Sequence, residues 1–117
     1  MVVDDDRAFR ALLRATLEMV DIDVDEAEDA PMARRAVDAL RPDVIVLDIA
    51  MPMVDGWTVL RKLRTNPSTT DIPVLIFTAL DLEAVSQEAK ALNVEAVIRK
   101  PASTRELEAA IRRALAA

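Results

Sequence analysis

Two apolar runs constrain the fold more than any other feature of this sequence. The first, "VIVL" at 44–47, ends abruptly in Asp48, and the second, "IPVLIF" at 72–77, ends in Thr78. A strand that is apolar along its whole length is buried on both faces, which is typical of the central strands of a parallel sheet. Helical patterns flank both runs, so the sequence predicts strands that alternate with helices.

Shorter patterns complete this alternation. "MVV", "IDVDEA" and "VEAVIRK" predict three further strands, and five segments have apolar residues three or four apart, as on one helix face. The first face comprises Phe9, Leu12, Leu13, Thr16, Leu17 and Val20, and the last comprises Leu107, Ala110, Ile111, Ala114 and Leu115. Five strands alternating with five helices predict an α/β, flavodoxin-like, doubly wound (βα)5 sandwich with a five-stranded parallel sheet of order 2-1-3-4-5. No linker or repeat divides the chain, so we expect residues 1–117 to form a single domain.

Capping residues indicate where the helices begin and end. The second helix is predicted from Pro31 to about Leu40, the third from Gly56 to Thr65 and the fourth from Leu82 to Leu92. Asn93 suits the left-handed position after the fourth helix, because asparagine tolerates that conformation. Ser103 or Thr104 is the expected N-cap of the last helix.

The residues that follow the strands are the candidate functional residues. Asp4 and Asp5 follow the first strand, Asp48 the third, Thr78 the fourth and Lys100 the fifth. Parallel strands end at one edge of a sheet, where ligands bind near the switch in strand order. Three carboxylates there would repel one another unless a cation joined them, and Mg²⁺ accepts carboxylate, carbonyl and water ligands. We therefore predict Mg²⁺ bound by the three carboxylates and by the backbone carbonyl of Ala50.

The same edge suits a phosphoryl group. The cation, the Lys100 ammonium and the Thr78 hydroxyl would meet the charge on the phosphoryl oxygens, while Asp48 attacks the phosphorus in line. Carboxylates are known to accept phosphoryl groups. We therefore expect Asp48 to be a phosphoacceptor.

Composition excludes several other classes of chemistry. The chain has no Cys and no His, which excludes disulfides, thiolate nucleophiles, Cys/His zinc sites and Ser-His triads. A net charge of −6 and only three aromatic residues argue against a direct nucleic-acid surface. No apolar run approaches the roughly 20 residues that cross a membrane, and no leader pattern opens the chain, so we expect a cytoplasmic protein without a membrane segment.

Four motifs resemble, in order and spacing, those of the response-regulator receiver domain of two-component signalling (CheY-like). They are "VVDDD", "VLDIAMPMVDGW", "PVLIFTA" and "VIRKP", and the resemblance covers essentially the whole chain. It implies that Asp48 is the phosphoacceptor, Asp4 and Asp5 the acidic Mg²⁺ pair, Thr78 the switch hydroxyl, and Lys100 the phosphate-binding lysine with a cis bond to Pro101. A switch of this kind is a signalling domain and not an enzyme.

The resemblance also implies partners. A histidine kinase or histidine phosphotransfer protein would donate the phosphoryl group, and a downstream effector domain or protein would read the result. The family pattern leaves room for a homodimer through the face of the last helix. The surface that reports phosphorylation would comprise the fourth helix, the fifth strand and the fifth helix.

Two departures from the family pattern suggest a second function beside the leading one, which is the phosphorylation switch. Val97 and Ala102 stand where receivers usually have aromatic residues on that reporting surface. The alternative is a receiver-like interaction scaffold that acts without phosphorylation. A flavin protein is disfavoured because its first loop would read "DDDRAF", which repels phosphate, and an Asp-dependent phosphatase because Ala50 replaces the usual second acid.

Each candidate residue also has an ordinary structural interpretation. Acids at positions 4–6 suit a helix start, Asp48 suits a turn, and Lys100 suits a solvated strand end. Thr78 could cap the fourth helix, for which Asp81 is the rival. These interpretations are reasonable one at a time, but they do not explain why the residues converge on one edge.

Overall fold

The computed structural model describes residues 1–50 and 56–116. Within these residues the elements are β1 Val2–Val3, α1 Arg7–Glu18, β2 Glu26–Ala27, α2 Ala30–Leu40, β3 Ile45–Leu47, α3 Gly56–Thr65, β4 Val74–Thr78, α4 Leu82–Ala91, β5 Ala96–Arg99 and α5 Thr104–Ala116. The strands form one parallel sheet in the order β2-β1-β3-β4-β5. The predicted flavodoxin-like α/β fold is therefore confirmed.

The two long apolar runs lie at the inner positions of the sheet. Every residue of β3 and β4 is buried, whereas β5, at the edge, is only partly so. Successive side chains of a strand point to opposite faces, and here Ile45 and Leu47 join one core while Val46 joins the other. Helices α2, α3 and α4 cover the first core, and α1 and α5 cover the second. The sheet is thus packed on both faces.

Four of the helices begin at a residue whose side chain caps the first turn. The carboxylate of Asp6 accepts a hydrogen bond from the Phe9 amide at the start of α1, and Asp29 has the same role in α2. Asp81, not Thr78, caps α4, and the Ser103 hydroxyl accepts from the Glu106 amide at the start of α5. Asn93 follows α4 with a φ of 53°, which confirms its predicted left-handed conformation.

The predicted helix faces are wrong at their margins. Leu12 is 56% exposed and Leu115 is 44% exposed. Each helical residue turns about 100° from the last, so Leu12 is rotated about 100° from the buried Leu13 and lies outside the buried stripe of α1. Leu115 lies to one side of the buried stripe of α5, and Val20 lies beyond the end of α1.

Two points complete the description of the fold. Among the described residues, no helix combines the length and apolar character that spanning a bilayer requires. Residues 51–55, within the motif "VLDIAMPMVDGW", fall outside the described residues.

Candidate functional site at the carboxyl edge of the sheet

Adjacent strands carry Asp4 and Asp48 to the same edge. The Asp4 amide donates to the carbonyl of Ala27 at 3.1 Å, and the Asp48 amide donates to the carbonyl of Val3 at 2.9 Å. These bonds continue the strand ladders up to the two acids. Both residues are buried, with 2% and 7% of their surface exposed. The sheet therefore holds two desolvated carboxylates in fixed positions.

The Lys100 side chain bridges these carboxylates. Its Nζ donates to Oδ2 of Asp4 at 2.7 Å and to Oδ2 of Asp48 at 3.3 Å. Its backbone amide donates to the carbonyl of Thr78 at 2.7 Å, which fixes Lys100 at the ends of β4 and β5. One ammonium therefore neutralises charge on two buried acids.

The pKa values of the bridge follow from burial and charge. Burial raises the pKa of Asp4, and the nearby charge of Asp48 adds to this, while hydrogen bonds from Lys100 and the Asp6 amide reduce the increase. Burial alone lowers the pKa of Lys100, but the hydrogen bond to Asp4 and the charges of Asp4 and Asp48 outweigh it, so this pKa is raised. The Lys100 side chain is consequently protonated and positively charged at neutral pH.

The remaining carboxylate oxygens face backbone amides and one another. Oδ1 of Asp4 accepts from the Asp6 amide, and Oδ1 of Asp48 accepts from the Ala50 amide, both at 2.9 Å. Asp5 is exposed, and one carboxylate oxygen from each of Asp4, Asp5 and Asp48 lies within 4.8 Å of the others. Such a cluster of oxygen atoms is the donor set that hard divalent cations prefer.

Thr78 lies at the same edge but faces the following loop. It is fully buried, and its Oγ1 accepts a hydrogen bond from the Leu80 amide at 3.2 Å. Ala50 contributes its amide to Asp48, and the metal-binding role of its carbonyl stays a prediction. The Lys100–Pro101 peptide bond is cis, as the resemblance implied.

Sequence reasoning missed the aromatic surroundings of Lys100. Its Nζ lies 5.0 Å from the ring centroid of Phe9 and 5.4 Å from that of Phe77, and the two rings are 5.1 Å apart. A cation over aromatic faces gains electrostatic attraction. Strand register accounts for Phe77, because it pairs with Ile98, and Lys100, two residues further on, lies on the same face of the sheet as Ile98. For Phe9, the helix-face pattern predicts only core packing.

The chain's one glycine is required beside the site. A Cβ on Gly56 would lie 2.4 Å from Cα of Ile49 and 2.9 Å from the carbonyl oxygen of Asp48. The Gly56 amide also donates to the carbonyl of Ile49 at 3.3 Å. The start of α3 is therefore in backbone contact with the segment that leaves Asp48, which only a residue without Cβ permits.

Known proteins share this architecture. The response regulator MprA of Mycolicibacterium vanbaalenii is 40% identical over 114 residues, which span 96% of this chain and 48% of that protein. The DNA-binding dual master transcriptional regulator RpaA of Synechocystis is 44% identical over 80 residues, 68% of this chain and 33% of that protein. The chemotaxis protein CheY4 of Vibrio cholerae has a similar structure, with a TM-score of 0.90 at 27% identity, covering 97% of this chain and 95% of that one.

The extent of these matches defines the family. The chain spans a third to a half of the length of those two curated relatives. The family model described as the response regulator receiver domain matches residues 1–112. Because that match takes in every strand and the first four helices as well as most of α5, this chain belongs to the response regulator receiver domain family.

Proposed function

We propose that this chain is a phosphoacceptor receiver domain, in which Asp48 accepts a phosphoryl group in a Mg²⁺-dependent reaction. The observation that carries the proposal is the bridge from the Lys100 ammonium to the Asp4 and Asp48 carboxylates at the carboxyl edge of the sheet. That edge is where ligands bind in doubly wound sheets. Residues 1–117 would act as one domain.

The residues at this edge fit a magnesium ion. Asp4, Asp5 and Asp48 would hold it together with the Ala50 carbonyl, because their carboxylate oxygens already lie within 4.8 Å of one another. A carboxylate oxygen that accepts one hydrogen bond keeps a second lone pair for a metal. When bound, Mg²⁺ would supply positive charge to the phosphoryl oxygens.

The chain's own residues would carry out the transfer. A carboxylate oxygen of Asp48 attacks the phosphorus of a phosphohistidine, a P–O bond forms, and the P–N bond breaks with its electron pair returning to the imidazole. Lys100, held cationic by its acidic neighbours, binds one phosphoryl oxygen. The Thr78 hydroxyl oxygen accepts a hydrogen bond from the Leu80 amide, so its own proton would be available to donate to a second phosphoryl oxygen.

The added charge would drive the output. Phosphorylation replaces the single negative charge of the Asp48 carboxylate with a phosphoryl group that carries about −1.5 to −2 units of charge, which draws the Thr78 hydroxyl and residues 79–81 toward the site. Those residues lead directly into α4, so the surface of α4, β5 and α5 changes with them. Val97 and Ala102 are half-buried and pack against opposite cores, so they transmit less side-chain motion than a swinging aromatic ring.

The partners follow from the proposed chemistry and the relatives. A histidine kinase or histidine phosphotransfer protein donates the phosphoryl group. One relative is described as a DNA-binding transcriptional regulator, and this chain matches only a third of it. We therefore place the effector outside residues 1–117, in a further domain or a separate protein, and a homodimer through α5 is one way to couple to it.

Intact mass spectrometry tests the proposal. After incubation with acetyl phosphate and Mg²⁺, the wild-type chain should gain the mass of one phosphoryl group. Asp48→Asn and a chelator should each abolish the gain, while Asp38→Asn, at an exposed position on α2, should leave it intact. A folded wild-type protein that gains no mass, even from a kinase donor, would refute the proposal in favour of the scaffold alternative.

A further inference from the structure

Arg10 is buried even though it carries a permanent charge. It is 8% exposed and is the one buried basic residue in the described part of the chain. Its Nη1 donates to the backbone carbonyl of Asp4 at 2.6 Å, and its Nε donates to Oε1 of Glu26 at 3.1 Å. A desolvated guanidinium is costly unless its donors are satisfied, so these two contacts determine where Arg10 lies.

Arg10 contacts the peptide group that joins Asp4 to Asp5. The Asp4 carbonyl and the Asp5 amide belong to one planar unit, and these two residues supply adjacent carboxylates to the oxygen cluster. The same turn is closed by the Asp6 amide, which donates to Oδ1 of Asp4 at 2.9 Å. Arg10 therefore holds the peptide between the two acids from the side of α1, without touching their carboxylates.

Glu26 holds Arg10 in turn. One of its carboxylate oxygens accepts from Arg10, and the other accepts from Nε of Arg14 at 2.7 Å. Nη1 of Arg14 also donates to Oε1 of Glu18 at 3.0 Å. The hydrogen bond from Arg14, with that from Arg10, lowers the pKa of Glu26, which keeps the carboxylate ionised at neutral pH.

We propose that Arg10, oriented by Glu26, is a positioning residue that sets the geometry of the Asp4–Asp5 turn for metal binding. This inference rests on the proposed function. Partners that orient metal ligands from outside the coordination sphere typically contribute about 10- to 100-fold to metal affinity. Arg10 contacts the backbone between two ligands rather than a ligand atom, so we expect the lower end, about tenfold.

Arg14 provides a matched control. It shares Glu26 with Arg10, lies one turn along the same helix, and reaches Glu18 on its other side. Arg14→Met therefore removes an ionic contact of the same carboxylate at a more exposed position. If Arg10 only tied α1 to β2, the two methionine variants would change Mg²⁺ binding alike.

The experiment uses two readouts on each variant. The first is the dissociation constant for Mg²⁺, measured from amide chemical shifts in the whole chain. The second is hydrogen exchange of the Asp6 amide without metal, which reports the turn itself. For Arg10→Met we expect a dissociation constant about tenfold higher and faster Asp6 exchange. Arg14→Met should stay within about twofold of wild type in both, and Arg10→Lys should recover part of the loss.

The outcomes separate this inference from the proposed function. Unchanged Mg²⁺ affinity and Asp6 exchange in Arg10→Met, or equal changes in Arg14→Met, would overturn the positioning role. A wild-type chain that binds no Mg²⁺ would count against the proposed function, and Asp6 exchange would still decide whether Arg10 holds the turn. If Arg10→Met does not fold, Arg10→Lys and Glu26→Gln carry the comparison, and wild-type values in both would overturn the role.

Discussion

Replacing Gly56 with alanine tests the contact between α3 and the segment that leaves Asp48. The new Cβ would lie 2.4 Å from Cα of Ile49, whereas ordinary contact begins near 3.4 Å. The atoms that the new Cβ would meet are Cα and Cβ of Ile49 and the carbonyl oxygen of Asp48. All three belong to the backbone or are bonded directly to it, so no flexible side-chain end can move aside. The start of α3 and the Ile49 backbone must therefore separate by about 1 Å in a closely packed region.

The expected cost combines two opposing effects. Overpacking a well-packed site typically costs about 1–3 kcal/mol. Alanine regains up to about 1 kcal/mol of helix preference relative to glycine, though less than this at the first helical position. The free energy of unfolding should therefore fall by roughly 1–2 kcal/mol. For a domain of this size, that lowers the melting temperature by about 5–10 °C.

Urea unfolding and thermal melting measure this change. Lys62→Ala serves as the control, because it introduces alanine at an exposed position of the same helix and should stay within about 0.5 kcal/mol of wild type. The amide shift of Ala50 should also move in Gly56→Ala, since Ala50 directly follows Ile49, whose backbone must shift. A variant as stable as wild type, with Ala50 unmoved, would refute the close-contact argument.

Three further perturbations test other parts of the site. Lys100→Met removes the cation between two buried acids. Because the lysine itself is partly exposed, the metal-free chain should lose about 3 kcal/mol of unfolding free energy, the lower end of the range for breaking a buried ion pair. Mg²⁺ should stabilise this variant more than it stabilises wild type, and equal stabilisation in urea titrations would contradict this. Phe77→Leu removes one of the two aromatic rings beside Nζ of Lys100 and should lower the free energy of unfolding by about 1 kcal/mol. The urea midpoint measures this loss, and an unchanged midpoint would count against the cation–π contact. The pKa of Glu26 is below its ordinary value of 4.5, so its stabilisation is present above that pH and is lost as the pH falls through the lower folded value. The difference in unfolding free energy between wild type and Glu26→Gln should accordingly shrink below about pH 4.5, and a difference constant across that range would refute the ionic role of Glu26.

The fold was predictable where one property decided the outcome. Continuous apolar character identified β3 and β4 as inner strands, and the parallel order followed from the alternation with helices. The second strand was harder to define. The pattern "IDVDEA" suggested six residues, but only Glu26–Ala27 pair, because β2 lies at the edge of the sheet and pairs with β1 alone.

The candidate site was predictable to the extent that strand ends determine it. Asp4, Asp48 and Lys100 each directly follow a strand of a parallel sheet, so sequence position alone brought them together. Arg10 and Phe9 approach from a helix, and their contacts depend on how α1 turns and packs over β1 and β2. Periodicity predicts which face of a helix is buried, but not which buried side chain reaches a particular carbonyl or ammonium.

The position of Lys100 limits how the proposed phosphorylation could reach the surface. Its backbone is fixed by the bond from its amide to the Thr78 carbonyl, and its ammonium faces Asp4 as well as Asp48. A phosphoryl group on Asp48 would therefore be met by rotation of the lysine side chain, with Asp4 keeping the ammonium at the edge. The Thr78 hydroxyl differs, because it is bonded to the Leu80 amide at the loop before α4. Under the proposed function, movement of the surface would therefore begin at Thr78, and Lys100 would supply charge without moving β5.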